Sequence, residues 1–213
     1  MFLLFSSSSN IINKPANGCL QMDIMLLGDF SSSVQGYESF ISGAFSEFVQ
    51  QFELSEYGIK IGLVTFTTTA YLNCPLTNNT KLLRSRINDL KYFNGVGHTN
   101  MLDAFAIAQN QFIINGRDDY KKIIIVISDG EPDSGEEVLK LANVIKQSKI
   151  GICGILVMKN KTEEEDNDSL FYYFYGKPID GNVVMKKISS DFCYVESNYD
   201  NLIKELKKLD ICM

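Results

Sequence analysis

Ile123 to Ile127 are five β-branched side chains in succession. A strand points alternate side chains to opposite faces, so a run with no polar position must be buried on both. That is the condition of a central strand in a parallel sheet covered by helices. A sheet with one wet face would show polar residues at every second position instead. Around this run, strand-length apolar segments alternate with segments of helical period. Met22 to Gly28 predicts a first strand. Val34, Tyr37, Phe40, Ile41, Ala44, Phe45, Phe48, Val49 and Phe52 then recur at intervals of three and four, predicting one helix that begins near Val34 and ends near Gly58. Ile59 to Phe66 reads as a second strand and Ala70 to Asn73 as a short third, closed by Pro75. The connection Thr67-Thr68-Thr69 is too brief for a crossover, so this pair must be antiparallel.

Further along, Lys81 to Leu90 predicts a short helix. Asn94 to His98 is a turn-rich loop, and a helix carrying Leu102, Phe105, Ala108, Phe112 and Ile113 follows Thr99. Lys122 to Ser128 is the fourth strand. A helix with Val138, Leu141, Ala142 and Ile145 on one face leads to a fifth, Ile150 to Met158. Val183 to Ser189 predicts a short helix, Phe192 to Glu196 a last strand, and Leu202, Ile203, Leu206 and Leu209 a terminal helix. The expected fold is α/β and doubly wound, a mostly parallel sheet with helices on both faces and right-handed crossovers. Residues 1–18, with the serine run Ser6 to Ser9, read as a flexible arm before a domain spanning 19–213. Residues 159–182, an acidic run followed by an aromatic cluster, read as an inserted surface loop.

Composition narrows the function. A net charge of −6 argues against a nucleic-acid surface, which needs clustered Lys and Arg. No apolar run approaches the roughly 20 residues of a membrane-spanning helix, and the first residues lack the basic start of a signal peptide. The expected location is therefore intracellular, of a bacterial or phage type, or extracellular if the chain is a mature form. Five cysteines and one histidine offer no zinc spacing, and Cys153 and Cys193, in apolar runs, read as small buried thiols.

Ligands of such sheets bind outside the carboxyl ends of the strands. Asp29, Ser31 and Ser33 follow the first strand and Asp129 the fourth, while Thr99 opens a helix whose loop can return to that edge. Ser and Asp are also the preferred helix N-caps, which is the alternative reading of these positions. Two carboxylates and three hydroxyls are nevertheless hard donors, and a few protein oxygens completed by water is the pattern that Mg²⁺ prefers.

Asp29-Phe30-Ser31-Ser32-Ser33 after an apolar strand, Thr99 after a glycine-containing loop, and Ser128-Asp129-Gly130 after an isoleucine-rich strand together resemble the von Willebrand factor type A (VWA) domain and its metal-ion-dependent adhesion site (MIDAS). The resemblance covers roughly residues 20 to 210. It implies a six-stranded sheet of order 3-2-1-4-5-6 with the third strand antiparallel. It also implies Asp29, Ser31, Ser33, Thr99 and Asp129 as metal ligands, with Mg²⁺ the expected ion and Mn²⁺ or Ca²⁺ as alternatives. The function implied is non-enzymatic: a protein-binding module for adhesion or scaffolding, in which the ion is completed by an Asp or Glu of another protein. Phe30, His98, Glu131, Tyr172 and Tyr173 are the expected partner-binding rim. His98 departs from the family, which often has a second glycine there. Cys19 and Cys212 are expected to lie close together, as the joined ends of several extracellular members do. The alternative function is a metal-assisted hydrolase or phosphotransferase. Position 31, however, is Ser where phosphotransfer through Asp29 would want a second carboxylate.

Overall fold

In the computed structural model, residues 21–93, 95–130, 132–158, 180–191 and 193–209 are described. Glu131, Tyr172, Tyr173, Cys19, Cys212, the arm at 1–18 and nearly all of the insertion at 159–182 lie outside them. The strands are β1 (Met22–Asp29), β2 (Ile59–Phe66), β3 (Ala70–Thr77), β4 (Lys121–Ser128), β5 (Ile150–Val157) and β6 (Tyr194–Ser197). They form one sheet of order β3-β2-β1-β4-β5-β6, parallel throughout except for the antiparallel β2–β3 pair. The helices are α1 (Glu38–Val49), α2 (Thr80–Asp89), α3 (Met101–Ile114), α4 (Gly135–Gln147), α5 (Gly181–Ile188) and α6 (Leu202–Lys208).

The continuous isoleucine run is explained by two cores, one on each face. Ile123, Ile125 and Ile127 of β4 join Ile24 and Leu26 of β1 beneath α1, α2 and α6. Ile124 and Val126 join Met25 and Leu27 beneath α3, α4 and α5. Each central strand thus buries both its odd and its even positions, and every parallel strand ends at the same edge.

Three boundaries differ from the sequence expectation, each for a local reason. The apolar stripe beginning at Val34 does not start one long helix. Ser32–Val34 is a single 3-10 turn, Gly36 takes φ +88°, and α1 begins only at Glu38. A right-handed helix cannot pass through that backbone, which glycine adopts without penalty. At its other end α1 stops at Val49, well before Gly58. Pro75 does not close β3, which runs on to Thr77. The strand is at the sheet's edge, where a missing N–H is tolerated, and the register shift beside it leaves the Leu76 N–H to donate to buried Gln111 Oε1 at 3.2 Å.

Cys153 and Cys193 are not separate thiols but a disulfide with Cα atoms 4.6 Å apart. Gly154 pairs with Tyr194 in the parallel β5–β6 ladder, so the two residues immediately before them are opposite each other. Reading each cysteine in its own apolar run could not reveal that the runs are neighbours. Cys74 is buried and free.

At the edge opposite the strand carboxyl ends, Asp23 of β1 is fully buried. Arg117 encloses it: the Arg117 backbone N–H donates to Asp23 Oδ2 at 2.8 Å and Nε–H to Oδ1 at 2.9 Å. The remaining guanidinium donors reach the carbonyls of Glu56, Met22 and Gly58. Removing one partner from a buried pair leaves an uncompensated charge, at a cost of about 3–5 kcal/mol. Arg117→Met should therefore lower the unfolding free energy by about that amount in urea titration, whereas a loss below about 1 kcal/mol would assign the clamp to the surface class. The disulfide closes a 40-residue separation, worth about 4 kcal/mol in the chain-entropy treatment. Reduction should shift the urea midpoint accordingly, and mass spectrometry of the alkylated native protein should find Cys153 and Cys193 unmodified until reductant is added.

Candidate metal centre

Asp29, the last residue of β1, is fully buried. Its Oδ1 accepts the Ser31 N–H at 2.9 Å and its Oδ2 accepts the Ser128 hydroxyl at 2.6 Å. The Ser128 oxygen in turn accepts the Gly130 N–H at 2.9 Å. One carboxylate therefore joins the turn after β1 to the turn after β4. Ser31 and Ser33 place their hydroxyl oxygens 2.9 Å apart. The N-cap reading does not describe Ser31, which makes no side-chain cap bond.

Ser32 points elsewhere and staples the next loop. Its hydroxyl accepts the Gly97 N–H at 2.7 Å, and its own N–H donates to the Gly97 carbonyl at 3.0 Å. Gly97 has φ +107°, and a Cβ there would lie 2.2 Å from Thr68 Oγ1, so the position requires glycine. Thr99 is nearly buried. It does not cap α3 either, since Asn100 is the N-cap and its side chain accepts the Asp103 N–H. The Thr99 carbonyl accepts the Asp133 N–H at 3.2 Å, and Asn100 N–H donates to the Thr67 carbonyl at 2.7 Å. The loops bearing Asp29, Thr99 and Asp129 are thus hydrogen-bonded to one another at a single edge.

Electrostatics at this edge are those of two crowded carboxylates. Burial, and after it the negative charge of Asp129, push Asp29 from the ordinary 3.8 up to about 7, against the lowering effect of the hydrogen bonds from Ser128 and Ser31. Among the described residues no group of three or more His, Cys, Asp and Glu is placed to hold a metal. A cation here would rely on hydroxyls beside the two aspartates. Those donors fit a hard ion: two neighbouring ligands of an octahedron with arms of 2.0–2.1 Å lie about 2.9 Å apart, the separation of the Ser31 and Ser33 oxygens.

The expected rim is rearranged. Phe30 is buried, its ring meeting Phe93 edge-on at a centroid distance of 5.3 Å. It belongs to the core and not to a contact surface. Alternation along the chain explains this, since Ser31 and Ser33 turn to the edge while Phe30 turns inward. His98 is exposed, with Nδ1 3.5 Å from Asp133 Oδ1. Ser128, Ser32 and Thr68 were not singled out from sequence, although each carries a hydrogen bond that fixes the site. The one available signal was Ser128, a polar residue at the end of an otherwise apolar strand.

The model of the von Willebrand factor type A domain matches residues 23–200. No curated protein matches the chain in sequence. Among solved structures, the proximal thread matrix protein 1 of the mussel byssus, with a zinc-occupied MIDAS motif, aligns with a TM-score of 0.68 at 16% identity. That alignment covers 90% of this chain and 45% of the mussel protein. Manganese-loaded TRAP protein of Plasmodium vivax aligns with a TM-score of 0.64 at 18% identity over 88% of this chain and 72% of that one. The vWF domain of the type V pili tip protein Mfa5 of Porphyromonas gingivalis aligns with a TM-score of 0.67 at 12% identity, over 89% and 93%. The chain spans less than half the length of the mussel protein. Its strand order, its single antiparallel pair and its family match agree, and the chain belongs to the von Willebrand factor type A domain family.

Proposed function

We propose that this domain, taken as 19–213, is a non-enzymatic protein-binding module whose metal site holds a divalent cation and, through it, a carboxylate of another protein. The observation that carries the reading is the juxtaposition of Asp29, Asp129 and the Ser31–Ser33 hydroxyl pair at the one edge where parallel strands end. Ser31, Ser33 and Thr99 supply neutral oxygens, and Asp29 and Asp129 supply charge. Mg²⁺ suits this set, with Mn²⁺ and Ca²⁺ as alternatives. When bound, the cation offers a coordination position that an acidic side chain fills in place of water.

The relatives support the reading at the level of the site, for the mussel structure is described with zinc in its MIDAS motif and the Plasmodium one with manganese. The Mfa5 protein is described as a pilus tip. His98 and Asp133 remain as exposed rim groups for a partner. No described helix is long and apolar enough to cross a membrane. The Cys153–Cys193 bond shifts the proposed location away from the reducing interior expected from sequence and towards an oxidising compartment.

Cation binding is linked to pH through Asp29. Its carboxyl lies above the unfolded value in the fold, so between pH 3.8 and about 7 the folded protein holds more protons than the unfolded one. Without cation, stability contributed by the protonated form is present below the lower value and lost as pH rises through the upper one. A divalent cation opposes that loss, because it stabilises the ionised pair. The melting temperature in EDTA should fall from about pH 5 to about pH 8 more steeply than in Asp29→Asn, and the gain on adding Mg²⁺ should be greater at the higher pH. Parallel pH curves for the two proteins would remove the Asp29 contribution. For the partner, proteins retained by the immobilised domain in Mg²⁺ should be released by EDTA and should fail to bind Asp129→Ala. Retention that survives both treatments would place recognition elsewhere on the surface.

A further inference from the structure

Helix α5 begins against the turn that carries Asp129. Gly181, its first residue, is buried, and Val184, Met185 and Ile188 anchor the helix in the core that also holds Val126 of β4 and Leu156 of β5. A Cβ on Gly181 would lie 2.7 Å from the Gly130 carbonyl carbon and 2.9 Å from the Asp129 carbonyl oxygen. A Cβ on Gly130 would lie 2.7 Å from the Gly181 carbonyl oxygen and 2.8 Å from Leu156 Cδ1. The two glycines therefore meet backbone to backbone. Gly130 has a second reason to be glycine, its φ of +92°. Gly181 has none, for its φ lies outside the left-handed region and alanine is the better helix former. What requires glycine at 181 is the closeness of the Asp129 turn. Asp180 fixes where the helix starts, as the N-cap whose side chain accepts the Asn182 N–H at 2.8 Å.

We infer that Gly181 is a positioning residue of the metal site: by letting the start of α5 seat directly on the Asp129–Gly130 turn, it fixes where the Asp129 carboxylate stands relative to Asp29. This rests on the metal-binding reading above and extends it to a helix outside the three ligand loops. Ser128 ties the turn to Asp29 through hydrogen bonds, and Gly181 limits it by contact. Bringing an added Cβ to the ordinary contact distance of 3.4 Å would displace the turn or the helix by about half an ångström, the tolerance within which a binding constellation must be held. Three core side chains anchor α5, so the turn is the part that yields.

Gly181→Ala tests this against Gly154→Ala, which crowds α5 at its other end: a Cβ on Gly154 would lie 2.4 Å from Ser189 Oγ and 3.1 Å from the Met185 carbonyl oxygen. Both variants should melt lower than the wild type in EDTA, because both overpack the same helix. Only Gly181→Ala should lose Mn²⁺ affinity, by about 10-fold in calorimetric titration well below the melting temperature. Wild-type affinity in Gly181→Ala would overturn the inference, and so would an equal loss in Gly154→Ala, which would assign the effect to α5 packing in general. Should Gly181→Ala not fold, Asp180→Ala loosens the same helix start by deleting its cap, while Asp180→Asn keeps a capping side chain without the charge. Affinity should then fall in Asp180→Ala and be retained in Asp180→Asn, and equal affinities in the two would overturn the inference. A wild type that itself fails to bind Mn²⁺ would remove the metal reading, an outcome distinct from a wild type that binds and variants that bind equally.

Discussion

Strand β1 carries two fully buried aspartates, and the contrast between them organises the molecule. Asp23, at one end, is enclosed by a guanidinium and a backbone amide of Arg117. Asp29, at the other, receives one amide and one hydroxyl and faces a second carboxylate. A buried carboxylate needs opposing charge or a proton. Asp23 has the first. Asp29 has only partial compensation from dipoles, which is why its proton affinity rises. The fold thus completes its electrostatics at one edge of the sheet and leaves two crowded carboxylates at the other, which is the condition the proposed cation site rests on.

That asymmetry depends on parallel strands. In an antiparallel sheet the ends of β1 and β4 would lie at opposite edges, and Asp29 and Asp129 could not meet. Here Gly28 pairs with Ile127 in register, so the residues that follow each strand emerge side by side. The cores on both faces make the arrangement rigid, and the connections between loops make it specific. Ser32 exchanges two hydrogen bonds with Gly97, and the Thr99 carbonyl accepts from Asp133. The hydroxyls of Ser31 and Ser33 meet each other and take no part in these staples.

The strand order and the arrival of the Asp29, Thr99 and Asp129 loops at one edge were legible because they rest on local signals: apolar runs, short polar turns and the resemblance in the spacing of those residues. What stayed hidden depends on which segments become neighbours. Phe30 sits between Asp29 and Ser31 in sequence, yet alternation turns it into the core against Phe93. The α1 stripe continued smoothly through Val34 and Tyr37, but its periodicity carried no sign that Gly36 would take a positive φ. The disulfide and the Tyr37–Tyr199 stack each join residues far apart in the chain, so no window of sequence contained both members.

The disulfide also bears on how the far edge of the sheet is held to its neighbours. β6 is the shortest strand, four residues paired on one side to β5, and alone it offers few ladder bonds to hold its place. Cys193 fastens its start to Cys153, and the Met158 N–H donates to the Ser197 carbonyl at its end. The strand so fixed delivers Tyr199 directly onto Tyr37, at the lead-in to α1 that follows the turn of Ser31 to Ser33. A short edge strand would ordinarily be free to fray. Bonding it covalently to its neighbour, at a point only a few residues before Tyr199, joins the aromatic stack on Tyr37 to β5 and so to the central strands. The edge of the sheet is thereby tied covalently through Cys193 and by aromatic packing through Tyr199 to the elements on either side of it.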